Sequence, residues 1–150
     1  MKRTLYKTRV EADAMNAFVK LMRAAEVVTS ATHRHLVEAN LTISQFGVLE
    51  ALYHLGPLCQ RDVAKKILKS TANITTVVDN LESRGLVERI RSSDDRRYVA
   101  LHLTEAGTQL IAKIFPVHVQ GVVQSLSALT REEQAELARL CKKLGLAQGE

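Results

Sequence analysis

The chain has 150 residues, 46% apolar and 25% charged, an ordinary globular mix long enough to bury a sizeable core. Its formal net charge is +5 and its pI about 9.4, which favours a polyanionic partner. Aromatic residues are only 4% and Trp is absent, which argues against holding single-stranded nucleic acid by base stacking.

Met1 to Val10 is basic and polar, without the apolar centre of a secretory signal. No apolar run approaches the roughly 20 residues that span a bilayer. The two cysteines, Cys59 and Cys141, lie far apart and suit a reduced compartment rather than a disulfide framework. A cytoplasmic protein that does not contact membranes is expected.

Glu11 to Glu38 forms one long helical pattern, with Met15, Phe18, Val19, Met22, Ala25, Val28 and Leu36 near the 3.6 period. A second helix follows, capped by Thr42 or Ser44, with Phe46, Val48, Leu49, Leu52 and Leu55 inward. Gly56-Pro57 ends it. A short third helix runs from about Gln60 to Leu68. Ser70-Thr71 opens a fourth, whose inward stripe is Ile74, Val77, Val78 and Leu81, with Gly85 as a left-handed terminator. The period then changes: Leu86–Arg91 and Tyr98–Leu103 read as two strands around the turn "RSSDDRRY". A fifth helix from Thr104 to about Leu126 contains Pro116. Thr130 and Glu133 form a capping box for a last helix to about Leu144.

The expected fold is α+β and mostly α: a winged helix-turn-helix over 41–104, flanked by N-terminal (1–40) and C-terminal (105–150) helices.

With Ile74, Val78 and Leu81 inward, the fourth helix turns Asn73, Thr75, Thr76, Asp79 and Asn80 outward. Its first half, including Ser70, Thr71, Asn73, Thr75 and Thr76, is small, polar and uncharged. Such side chains can enter a major groove and hydrogen-bond base edges, and Asn can pair bidentately with adenine. Each could equally serve as a cap or a solvated face. Lys65, Lys66 and Lys69 precede this helix and can hold phosphates, as can Arg96. A hairpin beside a helix in the major groove can reach the adjacent minor groove, whose negative potential attracts arginine. Asp95 and Arg97 are two apart, so in extended backbone they project to one side and the acid can orient the guanidinium.

The segments "LTISQFGVL" (41–49), "NLESRGLVER" (80–89), "DRR" (95–97) and "LTEAG" (103–107) resemble the MarR family of bacterial transcriptional regulators. The likeness extends from about Ala14 to Leu144. It implies a homodimer whose first and last helices interlock, with 1–40 and 105–150 as dimerisation helices and 41–104 as the DNA-binding region, on a pseudo-palindromic operator with half-sites roughly 34–36 Å apart. It places the minor-groove arginine at Arg97, its orienting acid at Asp95, and the base-reading helix at Ser70–Arg84. It also implies a small-molecule effector. "KIFP" (113–116) is similar to a subgroup associated with phenol and quinone responses. On this reading Ile111, Ile114, Val117, Val119, Val122, Val123 and Leu126 serve the dimer, having no obvious partner within a small winged helix.

Other chemistry has less support. Cys59, at a helix start beside Arg61, could sense oxidants or electrophiles, although a free cysteine is commonly a small buried hydrophobe. His33 and His35, two apart on a helix, do not easily face one ligand. No HExxH, CxxC, GxSxG or phosphate-binding glycine loop occurs, so no metal, cofactor or enzymatic activity is expected. The alternatives are a winged helix that binds protein, or a ligand-sequestering module without an operator.

Overall fold

The computed structural model describes residues 7–67, 71–95 and 97–147. Helix α1 spans Arg9–Glu38, two residues earlier than its apolar pattern suggests. Thr8 caps it: its Oγ1 accepts from Glu11 N at 3.2 Å, and Glu11 Oε2 accepts from Thr8 N at 3.3 Å. Its far end closes with Asn40 at φ 53°, Asn40 N bonded to Val37 O and Leu41 N to Leu36 O. These paired bonds satisfy carbonyls that a helix end leaves open.

Thr42, not Ser44, caps α2 (Ile43–Leu55), in a reciprocal capping box with Gln45. Gly56, at φ 77°, ends it. Strand β1 (Leu58–Cys59) is two residues long, too short for alternation to reveal. Helices α3 (Gln60–Lys66) and α4 (Thr71–Ser83) follow, then β2 (Val87–Arg91), β3 (Val99–Leu103), α5 (Glu105–Leu126) and α6 (Arg131–Ala147). The sheet is antiparallel in the order β1-β3-β2, with Leu58 opposite Leu101 and Arg89 opposite Leu101 on the other side.

The chain divides into two compact units, residues 33–119 and residues 1–32 with 120–150. In the first, the helix-turn-helix and hairpin close on a core that includes Phe46, Leu49, Val63, Ile74, Val78, Leu81, Val87 and Leu101. Each such side chain contributes about 1.5–3 kcal/mol on leaving water. Ile111 and Ile114 of α5 and Leu36 of α1 belong to this core. That corrects the assignment of both isoleucines to the dimer. The amino-terminal half of α5 thus completes the core of the winged helix.

The junction before α5 explains the "LTEAG" segment. Thr104 Oγ1 donates to Gly85 O at 2.6 Å and accepts from Gly107 N at 3.0 Å, while Thr104 N donates to Leu86 O at 3.1 Å. A Cβ on Gly107 would lie 3.0 Å from the Leu86 carbonyl carbon and closer still to its oxygen. Only glycine admits this approach without displacing backbone.

In the other unit, α6 buries no residue. Its Leu137, Leu140 and Leu144 are exposed, as are Met15, Phe18, Leu21 and Met22 of α1 and Val123 of α5. This is more open apolar surface than scattered single residues leave, and such surface marks association. Thr130 and Glu133 form the expected capping box of α6. No described helix is long and apolar enough to cross a membrane.

Candidate nucleic-acid interface

Ile74, Val78 and Leu81 are fully buried, which fixes the rotation of α4 about its axis. Asn73, Thr75, Thr76, Asp79 and Asn80 are therefore exposed on the opposite face, and Val77 is half-buried at its edge. Thr71 opens the helix, and Lys65 and Lys66 are exposed on the last turn of α3. Lys69, Ser70 and Arg96 lie outside the described residues.

A polar network behind this face was not legible in the sequence. Arg89 of β2 extends its guanidinium along α4, donating to Asp79 Oδ1 at 2.6 Å and forming a short ion pair with Glu82. Its backbone N–H also donates to Glu82 Oε1 at 3.2 Å. Burial works to lower the Arg89 pKa, but the bonds to Asp79 and Glu82 outweigh it and raise it above the ordinary value. Arg89 Nη2 also reaches Gln60 Oε1 at 3.4 Å, and Gln60 Nε2 donates to Thr75 Oγ1 at 2.7 Å. One arginine thus ties the wing strand to α4 and, through Gln60, to an outward threonine. It also offsets the charge of two carboxylates that would otherwise repel phosphate.

The wing turn is organised by its side chains. Ser92 Oγ accepts from Asp94 N at 3.2 Å and Asp95 N at 3.4 Å, and Ser92 N donates to Tyr98 O at 2.9 Å. Asp95 Oδ1 accepts from both Arg97 N at 3.0 Å and Arg97 Nε at 3.3 Å. The Arg97 side chain is 93% exposed, so Asp95 aims it while leaving its outer nitrogens in solvent. The expected pairing is present, but for a different reason. Arg97 sits in the turn, before β3 begins at Val99, so the turn and not strand alternation brings the two together.

Cys59 directly precedes α3, and its thiol donates to Asp62 Oδ2 at 3.1 Å. Cys141 is exposed on α6. Among the described residues no group of three or more His, Cys, Asp or Glu is arranged to hold a metal ion.

Three histidines form a cluster that separate sequence positions concealed. The ring of His118, on α5, has its centre 5.6 Å from that of His33, 5.5 Å from that of His35 and 4.6 Å from that of Phe46. His33 and His35 are thus linked by a third ring lying against both. His35 Nε2 is buried without a hydrogen-bond partner among the described residues. Burial, then the neighbouring His33, lowers the His35 pKa below 6.5, and Glu38 partly counteracts them. Beside this cluster a cavity of about 450 Å³ is lined by His35, Glu38, Ala39, Leu110, Lys113, Ile114 and Val117.

Residues 41–99 match the model of the MarR family. Over 133 residues, 89% of its length, the chain is 34% identical to two regulators of the helix-turn-helix type from Bacillus subtilis: YkoM, covered to 86%, and MhqR, covered to 92%. Among solved structures, Bordetella bronchiseptica BpsR, whose DNA binding is regulated by 6-hydroxynicotinic acid, superimposes with a TM-score of 0.76 at 27% identity, over 83% of this chain and 89% of that one. NadR in complex with 4-hydroxyphenylacetate superimposes with a TM-score of 0.72 at 28% identity, over 84% and 89%. The fold, the winged hairpin and these relatives agree: the chain belongs to the MarR family of transcriptional regulators, which bind duplex DNA as dimers.

Proposed function

We propose that this protein is a cytoplasmic, non-catalytic repressor that a small hydroxylated aromatic acid or phenol releases from a pseudo-palindromic operator. The observation that carries the DNA-binding surface is the Asp95–Arg97 pair: a solvent-exposed arginine held by a carboxylate at the wing tip. Arg97 enters the minor groove, where a narrow width concentrates negative potential. Ser70, Thr71, Asn73, Thr75 and Thr76 read base edges in the major groove, and Lys65, Lys66, Lys69 and Arg96 hold phosphates. Residues 1–40 and 105–150 supply the dimer, apart from Leu36, Ile111 and Ile114, which pack in the winged-helix core, and 41–104 supply the operator contacts.

The cavity beside His35 suits such an effector. Leu110, Ile114 and Val117 offer apolar walls for a ring, and the Lys113 ammonium suits a carboxylate or phenolate. Glu38 can accept from a hydroxyl but would repel a second acid. BpsR and NadR respond to or bind hydroxyaromatic acids, which supports the same class here. Cys59 is bonded to a carboxylate, which gives oxidant sensing no added support.

The test is Arg97→Ala in an operator titration. Affinity is expected to fall by about 1–3 kcal/mol, roughly 5- to 150-fold, with an unchanged melting temperature. Equal affinity in a folded variant would remove the wing from the interface.

A further inference from the structure

The turn that closes α1, Ala39-Asn40, is shared by two features. Ala39 lines the His35 cavity, and its carbonyl accepts from Arg84 Nη2 at 3.5 Å. The neighbouring carbonyl, Asn40 O, accepts from Arg84 Nη1 at 2.7 Å. Arg84 directly follows the last residue of α4 and is bonded through its own N–H to Asn80 O at 3.1 Å. A guanidinium placed on open carbonyls at a helix C-terminus is favoured by both hydrogen bonding and the helix dipole.

A second strut lies beside it. Gln45 is buried, and its Nε2 donates to Asn80 Oδ1 at 2.7 Å while its Oε1 holds Thr42 N at 2.9 Å. The end of α1, the start of α2 and the end of α4 therefore meet in one polar node. Asn40 sits at positive φ, in a conformation that tolerates little adjustment for a residue other than glycine.

We propose that Arg84 is a positioning residue: a latch that transmits the position of the α1 terminus, and so the occupancy of the cavity at Ala39, to the DNA-reading helix. This rests on the reading of α4 as the base-reading element and deepens it by naming how that element is regulated. A bound molecule that displaces Ala39 moves the carbonyls held by Arg84. Because α4 is also held by its buried stripe and by Arg89, a displacement at its C-terminal end strains the helix and loosens its backbone hydrogen bonds.

The test needs no knowledge of the natural effector. Ala39→Phe fills the cavity from its wall, and Ala39→Leu does so more mildly. Each is combined with Arg84→Ala and with Arg84→Lys in a double-mutant cycle. Two quantities are read in the intact dimer: operator affinity and amide hydrogen exchange in residues 71–83. Only variants with a cooperative melt are scored, and Ala39→Leu serves if Ala39→Phe does not fold. With Arg84 present, the filled cavity is expected to weaken operator binding at least tenfold and to raise exchange in α4. With Arg84→Ala both effects should shrink below threefold, and Arg84→Lys, which retains one donor group, should restore part of them. Equal effects in both Arg84 backgrounds, or a filled cavity with no effect on α4, would overturn the latch. Altered exchange with unaltered operator binding would overturn it as a control of DNA affinity and count against α4 as the reading helix. Calorimetric titration of 4-hydroxyphenylacetate tests the effector class separately, since its failure leaves the cycle intact.

Discussion

Removing the Arg89 charge while keeping its stem, as in Arg89→Met, separates the wing strand from α4. The Arg89 side chain is 27% exposed, and the side chains of its partners, Asp79 and Glu82, are 59% and 41% exposed. A hydrogen bond to a charged group contributes about 1.5–3 kcal/mol when sheltered. Exposed ion pairs contribute only about 0.2–1 kcal/mol each. Two such pairs sharing one sheltered arginine therefore stabilise by about 1–2 kcal/mol. Once it is gone, Asp79 and Glu82 repel each other across one helical turn, adding about 0.3 kcal/mol. The melting temperature of a domain this size should fall by roughly 3–9 °C. Operator binding should weaken further than stability alone explains, because two uncompensated carboxylates then flank the reading face. Adding Asp79→Asn should recover part of that binding loss. Urea unfolding followed by circular dichroism measures the first quantity, and anisotropy with a labelled duplex the second. An Arg89→Met protein with an unchanged urea midpoint and unchanged affinity would refute the reasoning.

Gly107→Ala forces a Cβ onto the Leu86 carbonyl, and the backbone shift should cost about 1–3 kcal/mol in urea unfolding. Gly145→Ala, where a Cβ meets nothing within 4 Å, is the matched control and should leave the midpoint unchanged or raised. Stability should also fall in mild acid. The His35 pKa in the folded chain lies below 6.5, so the unfolded chain takes up the proton first as pH drops. The stability is complete above about pH 6.5 and is lost as the pH falls below it towards the folded value. Melting curves from pH 7.5 to 5 check this. His35→Gln should flatten the acid side, and an identical profile in that variant would refute the assignment to His35.

The fold was legible because its boundary signals are local. Thr42 with Gln45, Gly56-Pro57, Gly85 and Thr130 with Glu133 each act within a few residues, and a period change announces the hairpin. The candidate interface was legible for a similar reason, since three buried residues dictate which side of α4 faces out. What the sequence concealed depends on distant residues meeting. Arg89 and Gln60 look like any solvated side chains until β2, α3 and α4 pack together. His33, His35 and His118 look unrelated until α5 lies along the end of α1. Ile111 and Ile114 looked surplus because the winged helix was counted without the α5 face that completes its core.

On the proposed function, effector-controlled duplex binding is carried by Arg97 and the basic surface around α4. The most direct test is a fluorescence-anisotropy titration of the dimer against duplexes from the gene's own upstream region, between about 50 and 200 mM salt, with and without 4-hydroxyphenylacetate or 6-hydroxynicotinic acid. Tight binding to one duplex is expected, with a log–log salt slope of about −0.9 per phosphate neutralised and release by at least one of these aromatics. A confirmed dimer that binds no duplex at the lowest salt, or binds with a flat salt response, would contradict it.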